Sequence, residues 1–137
     1  MKTPLWMLAL GVLAAASPAC AGHREMTEDD LSYPGTVAMD IGHDTVDLRI
    51  VYEAQEDCWR IVSAREGVPD VARDLPGDRH LYVTVAIEKT AESCRQAHTP
   101  LTTRLKIADK PGRISVDVFF VDQRGVYQRS QRHRIQR

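Results

Sequence analysis

The sequence contains no asparagine among its 137 residues, so it holds no N-glycosylation sequon. Lysine is also scarce: the chain has 14 arginines and 4 lysines. This preference for arginine is typical of proteins from GC-rich bacterial genomes. The 18 basic and 19 acidic residues nearly cancel, so the net charge of −1 favours no nucleic-acid partner. Aromatic residues are few at 6%, but 43% of the residues are hydrophobic and 27% are charged, which is typical of a globular domain.

No apolar run is long enough to cross a membrane. The longest, residues 5–16, is short of the roughly 20 residues that a spanning helix needs. It follows the basic Lys2 and precedes small residues up to Ala21, which is the layout of a secretory signal peptide over residues 1–21. We therefore expect a periplasmic or secreted protein with no transmembrane span.

Cys20 opens a second processing route. Cleavage before Gly22 would remove this cysteine, whereas lipidation would anchor the mature chain through its sulfur. A lipidation signal usually carries leucine where Ser17 stands, and Pro18 fits the next position poorly, so the sequence favours plain cleavage. The alternative product is a structural lipoprotein anchored in a membrane through Cys20.

Cys58 and Cys94 form an even pair once Cys20 is set aside. Such a pair in an exported domain is typical of a disulfide, which here would close a loop of about 37 residues. No CxxC spacing occurs, and His98, four residues after Cys94, is by itself a weak ligand signal. The three carboxylates of Asp40, Asp44 and Asp47 around a glycine turn lack the spacing of a calcium loop, and aspartate and glycine are the residues that a hairpin turn uses. We therefore expect no metal and no cofactor.

The remaining chain alternates apolar and polar residues with a period of two. Seven such runs, separated by turn-forming residues, begin near positions 36, 46, 58, 81, 101, 114 and 126. They predict a single all-β domain over residues 36–137, preceded by a polar arm over residues 22–35. The expected architecture is an antiparallel sandwich or a small barrel of about seven strands. An immunoglobulin-like topology is compatible with this count, although Trp59 directly follows Cys58, unlike in the immunoglobulin pattern.

Sequence motifs of catalysis are missing. The chain has no G-x-S-x-G, no H-E-x-x-H and no glycine-rich phosphate loop. A catalytic role for His80 or His98 would need a carboxylate that the fold brings to it. The sequence therefore favours a protein that is not an enzyme, and a small periplasmic hydrolase or metal-dependent enzyme is the alternative.

Two sets of residues are candidate contact surfaces. The C-terminal run is basic and predicts a patch for an anionic partner, unless its charges only protect a sheet edge. The second set would lie on the sheet face opposite the core and would mark a protein contact if exposed, or pack under a loop if covered. The basic set is Arg124, Arg129, Arg132 and Arg134; the second set is Tyr82, Phe119, Val121 and Tyr127.

Together these features predict an exported bacterial envelope protein that acts as a binding or interaction module. Its partner would be a protein or another envelope component, as for an inhibitor, an immunity-type protein or an accessory part of an envelope complex. In the inhibitor version, a rigid loop over residues 67–78 or 89–100 would enter a cleft of the target.

Overall fold

The computed structural model describes residues 35–70, 75 and 79–136. The predicted signal peptide, Cys20 and residues 22–34 of the polar arm lie outside these residues, as does most of the segment 71–78. The seven predicted runs are confirmed as strands: β1 (Gly35–Ile41), β2 (Thr45–Glu56), β3 (Trp59–Glu66), β4 (His80–Lys89), β5 (Gln96–Ala108), β6 (Ser115–Val121) and β7 (Tyr127–Arg134). No helix among the described residues is long and apolar enough to cross a membrane.

The strands form two sheets that pack against each other, as in a β-sandwich. One sheet has the order β1-β2-β5 and the other the order β3-β4-β6-β7. All neighbouring strands are antiparallel except β4 and β6, which are parallel. The expectation of a wholly antiparallel arrangement is therefore wrong for this pair. The chain leaves the four-stranded sheet after β4, forms β5 in the other sheet, and returns as β6 in the direction of β4. This order does not confirm an immunoglobulin-like topology.

Alternation along the strands builds the core between the sheets. Successive side chains point to opposite faces, so every second residue of β2, β4 and β6 enters the same layer. Tyr52 and Phe120 meet in this layer, with ring centroids 4.7 Å apart. The buried members include Val46, Leu48, Ile50, Leu81, Val83, Val85, Val116, Val118 and Phe120.

Strand β3 lies at one edge of the four-stranded sheet and turns one apolar face to the core. Trp59 and Ile61 pack against the core, whereas Val62 is 57% exposed, as the alternation predicts. The register shifts between Ile61 and Ser63, and this β-bulge lets Ala64 face the core again. Strands β3 and β4 pair antiparallel, with Trp59 opposite Lys89 at the end where β3 begins.

Candidate functional site: a cleft at the disulfide end

Three chain connections meet at one end of the four-stranded sheet. Because β4 and β6 are parallel, both strands finish at this end, and the connection after β4 lies beside the turn after β6. A cavity of about 690 Å³ opens between them, and we call it the end cleft. It is lined by Trp59, Lys89, Thr90, Ala91, Glu92, Asp122, Gln123, Arg124 and Gln128.

The first wall of the end cleft is held by the predicted disulfide, which is confirmed. Cys58 and Cys94 are bonded, with Cα atoms 5.6 Å apart. The Asp57 carboxylate accepts hydrogen bonds from the Arg95 backbone N–H at 3.1 Å and from its Nε at 2.9 Å. These bonds, that of the Arg95 side chain first, hold the pKa of Asp57 below its ordinary value. We call residues 57–59 and 89–95 the disulfide wall.

Trp59 is fixed within the disulfide wall by two neighbours. Its Nε1 donates to a Glu56 carboxylate oxygen at 3.0 Å, and the Lys89 ammonium lies 2.7 Å from the same oxygen. The Lys89 Nζ is also 5.2 Å from the centroid of the Trp59 ring, within cation–π range. The bonds from Lys89 and then Trp59 lower the pKa of Glu56. The indole is therefore held in one position, and its surroundings carry both signs of charge.

The second wall is the β6–β7 hairpin, organised around the Asp122 carboxylate. The Asp122 side chain is only 2% exposed. Its Oδ1 accepts the backbone N–H groups of Arg124 and Val126, each at 3.0 Å, and its Oδ2 accepts Arg124 Nη2 at 2.9 Å and Gln128 Nε2 at 3.0 Å. Burial raises the pKa of Asp122, but these hydrogen bonds outweigh it, so the pKa is lowered. We call residues 122–128 the hairpin wall.

Glu92 and Gln123 are the lining residues best placed to meet a ligand. Both are exposed, and neither bonds to another residue that the structure describes. Glu92 lies on the disulfide wall, whereas the Arg124 guanidinium, whose side chain is 71% exposed, lies on the hairpin wall. The cleft thus has the Glu92 carboxylate on one side and the Arg124 guanidinium, which is paired with Asp122, on the other, with polar groups between them. No histidine, serine or free thiol is among the residues that line it.

The four arginines of the predicted basic patch do not share one face. Arg132 donates from Nε to Asp117 at 2.9 Å on the outer face of the four-stranded sheet, and Arg124 is bonded to Asp122. Arg129 is paired in register with Phe120 and so lies on the core-facing side of β7, whereas Arg134 is exposed at the end of that strand. Buried carboxylates therefore accept hydrogen bonds from two of these side chains, and of the four arginines only Arg124 lines the end cleft.

In the second predicted surface, Tyr82 and Phe119 are covered by other residues. Phe119 is fully buried and Tyr82 is 8% exposed, and Val68, Leu75 and Val121 pack against them. Of the two alternatives, the covered face is thus the one found for Tyr82 and Phe119. Tyr127 and Val121 are half-buried.

Both candidate catalytic histidines approach a carboxylate. His98 Nε2 lies 2.6 Å from Glu53 Oε2, and His80 Nδ1 lies 3.6 Å from Asp117 Oδ2. Ser115 Oγ is 2.5 Å from the same His80 nitrogen. In a nucleophilic triad the serine and the carboxylate contact different ring nitrogens. Ser115 is also 3% exposed, so this cluster presents no nucleophile to a substrate.

Three donor atoms of Glu56, Cys58 and Cys94 lie within 4.8 Å of one another, which is close enough for a metal site. The two sulfurs are bonded to each other, however, and only a thiolate ligates a metal strongly. This cluster therefore forms part of the disulfide wall and offers a single carboxylate.

Comparison of the chain with models of protein families, with curated proteins and with solved structures gives no match.

The sequence indicated parts of the end cleft but not the cleft itself. Cys58, Cys94 and Arg124 were recognisable candidates, and the predicted loop at residues 89–100 contributes residues 89–92 to the lining of the cleft. Asp122 and Trp59 were missed as site residues. The run Asp-Gln-Arg-Gly after an apolar strand was the available signal for Asp122, since aspartate at the start of a turn accepts backbone N–H groups.

Proposed function

We propose that this protein is an exported, non-enzymatic binding module, and that its end cleft receives a peptide segment of an envelope partner. One observation carries the proposal: each wall of the cleft is fixed by its own set of bonds, covalent on one side and centred on a buried carboxylate on the other. A cleft fixed before binding loses little conformational entropy when a ligand enters.

The chemistry of the lining favours a peptide over a purely apolar or purely anionic ligand. Glu92 and Arg124 offer opposite charges, and Gln123 and Gln128 offer amide donors and acceptors. A peptide backbone presents N–H and C=O groups to such amides, and its side chains supply both signs of charge. The Trp59 indole adds the kind of rigid aromatic anchor that is enriched in binding hot spots.

Export is supported by the disulfide and by the layout of residues 1–21. Disulfides persist in oxidising compartments and are rare in the cytosol. The intact mass of the protein from its native envelope, before and after reduction, tests this part of the proposal. A chain that starts at Gly22 and gains about two hydrogens on reduction supports a soluble exported module. A chain that starts at Cys20 with acyl groups would make it a lipoprotein, and one that retains Met1 would contradict export.

Selection from a random peptide library displayed on phage tests the cleft. We expect enriched peptides to bind the wild-type protein. Their affinity should fall at least about tenfold with Gln123→Trp, which fills the cleft, and with Glu92→Arg, which replaces a negative charge of the cleft by a positive one. Both residues are exposed and without described partners, so neither change should disturb folding. Thr102→Trp, on the exposed face of the other sheet, is the matched control and should bind normally. Equal binding by all three variants would contradict a peptide site in the end cleft.

A further inference from the structure

Two arginines lie directly opposite each other on the outer face of the three-stranded sheet. Arg49 of β2 is paired in register with Arg104 of β5, and on its other side Arg49 is paired with Ala38 of β1. All three residues are exposed. A cavity of about 350 Å³ opens here, lined by these residues together with Met39, Asp40, Asp47 and Leu48. We call it the arginine-pair cavity.

The arginine pair is unfavourable for the sheet by itself. Side chains directly opposite on neighbouring strands are about 5 Å apart at Cβ, and like charges in this position are destabilising. Neither Arg49 nor Arg104 forms a hydrogen bond or an ion pair with another described residue. The row on one side of the arginine pair contains Asp40, Asp47 and Lys106. Within this row, Asp47 pairs with Lys106 at 3.7 Å, and Asp40 lies opposite Asp47. Two guanidinium groups therefore remain available to one ligand.

The residues around the pair leave room for a compact anion. Ala38 ends in a methyl group, so the row beside Arg49 has space where a longer side chain would fill it. On the opposite side, the next row of the sheet is neutral and consists of Thr36, Val51 and Thr102. Guanidinium groups bind the oxygens of phosphate with paired N–H donors, and two of them can share one phosphate group.

We propose that the arginine-pair cavity binds a single phosphate group, carried either by inorganic phosphate or by an anionic lipid headgroup. Asp40 and Asp47 limit the site to one such group, because a longer polyanion would meet these carboxylates. The site lies on the other sheet from the end cleft and does not depend on the peptide proposal. Its ligand offsets the repulsion that the paired arginines otherwise add to the fold.

NMR titration of the ¹⁵N-labelled wild-type protein with sodium phosphate, at constant ionic strength against chloride, tests the proposal. We expect the backbone amides of Ala38, Arg49 and Arg104 to shift in a saturable way. Arg49→Gln or Arg104→Gln should weaken phosphate binding by about tenfold, since each removes a charge-assisted pair of hydrogen bonds. Arg134→Gln, an exposed arginine on the other sheet, is the control and should leave the titration unchanged.

Melting temperatures give a second readout that a merely solvated surface would not produce. In phosphate-free buffer of low ionic strength, Arg104→Gln should melt higher than the wild type, because it removes the like-charge pair. Added phosphate should raise the melting temperature of the wild type and not that of the variant. No saturable shift at these amides, or equal shifts in Arg104→Gln and the wild type, would overturn the proposal.

Vesicles separate the two sources of phosphate. The site binds a lipid headgroup if the wild-type protein sediments with phosphatidylglycerol vesicles but not with vesicles of phosphatidylcholine alone. Arg49→Gln and Arg104→Gln should then lose this sedimentation. Binding of inorganic phosphate without sedimentation assigns the site to the free anion. Sedimentation that both variants retain, with no response to inorganic phosphate, would overturn the site.

Discussion

The two walls of the end cleft reach the same rigidity by different chemistry. The disulfide wall is closed by a covalent bond between residues 36 positions apart, supported by the exposed Asp57–Arg95 pair. The hairpin wall has no covalent closure and depends on one buried carboxylate, Asp122, that gathers donors from residues at most six positions away. The first device constrains the unfolded chain, whereas the second acts mainly in the folded state.

This difference separates the conditions that loosen each wall. A disulfide is insensitive to acid but is opened by a reductant. A buried carboxylate is insensitive to a reductant but loses its acceptor role when it is protonated. A binding site built from both is held in place where no strong reductant is present and where the pH stays above the acid range in which Asp122 becomes protonated. Three sets of substitutions and one pH titration test the comparison.

Removing the disulfide should have the largest effect. The double change Cys58→Ser with Cys94→Ser releases a long loop, and chain entropy predicts a loss of about 4 kcal/mol in the free energy of unfolding. Urea denaturation measures this loss, and the reduced wild-type protein is the natural control because it should match the double variant. A loss much below 1 kcal/mol would mean that the disulfide wall is held by its other bonds.

Replacing Asp122 should cause the second largest loss of stability. Asp122→Asn keeps the size of the side chain but removes the charge and places an amide where Arg124 and Gln128 donate. We expect a loss of about 2 kcal/mol, the range for hydrogen bonds to a buried charged group. Urea denaturation measures the loss, and Asp44→Asn, whose side chain is 85% exposed, is the control that should change little. Equal losses of stability from the two substitutions would contradict the central role of Asp122 in the hairpin wall.

The sequence predicted the strands better than the way they are joined. Period-two alternation is a local signal, and it located all seven strands and the core faces of β2, β4 and β6. The parallel pairing of β4 with β6 depends on where the chain returns after β5, and no residue pattern records that choice. The end cleft follows from this pairing, so its residues could not be collected from the sequence. The arginine-pair cavity was hidden for the same reason, since Arg49 and Arg104 meet only through strand register.

Acid should weaken the hairpin wall through Asp122. Its pKa is lowered from the ordinary value of 3.8 in the folded protein, so the folded state holds this proton less tightly than the unfolded chain does. The stabilisation is therefore complete above about pH 5, begins to decrease near the ordinary pKa, and is lost as the pH falls through the lowered pKa. Stability measured between about pH 2 and 7 should show the wild type and Asp122→Asn converging in acid. A constant gap between them would contradict the ionised carboxylate as the source of the bonds.

The smallest effect is expected from Asp57→Asn, and it shows whether the parts of the disulfide wall act together. Arg95 is 89% exposed at its side chain, and pairs of this kind contribute little because water and salt screen them. With the disulfide present, the two segments stay together whether or not Asp57 is charged, so the melting temperature should hardly change. Once Cys58→Ser and Cys94→Ser have removed the covalent bond, the Asp57–Arg95 bonds must hold the segments, and the same substitution should cost more. A double-mutant cycle measures this coupling. Equal costs in both backgrounds would mean that the disulfide and the ion pair stabilise the wall independently.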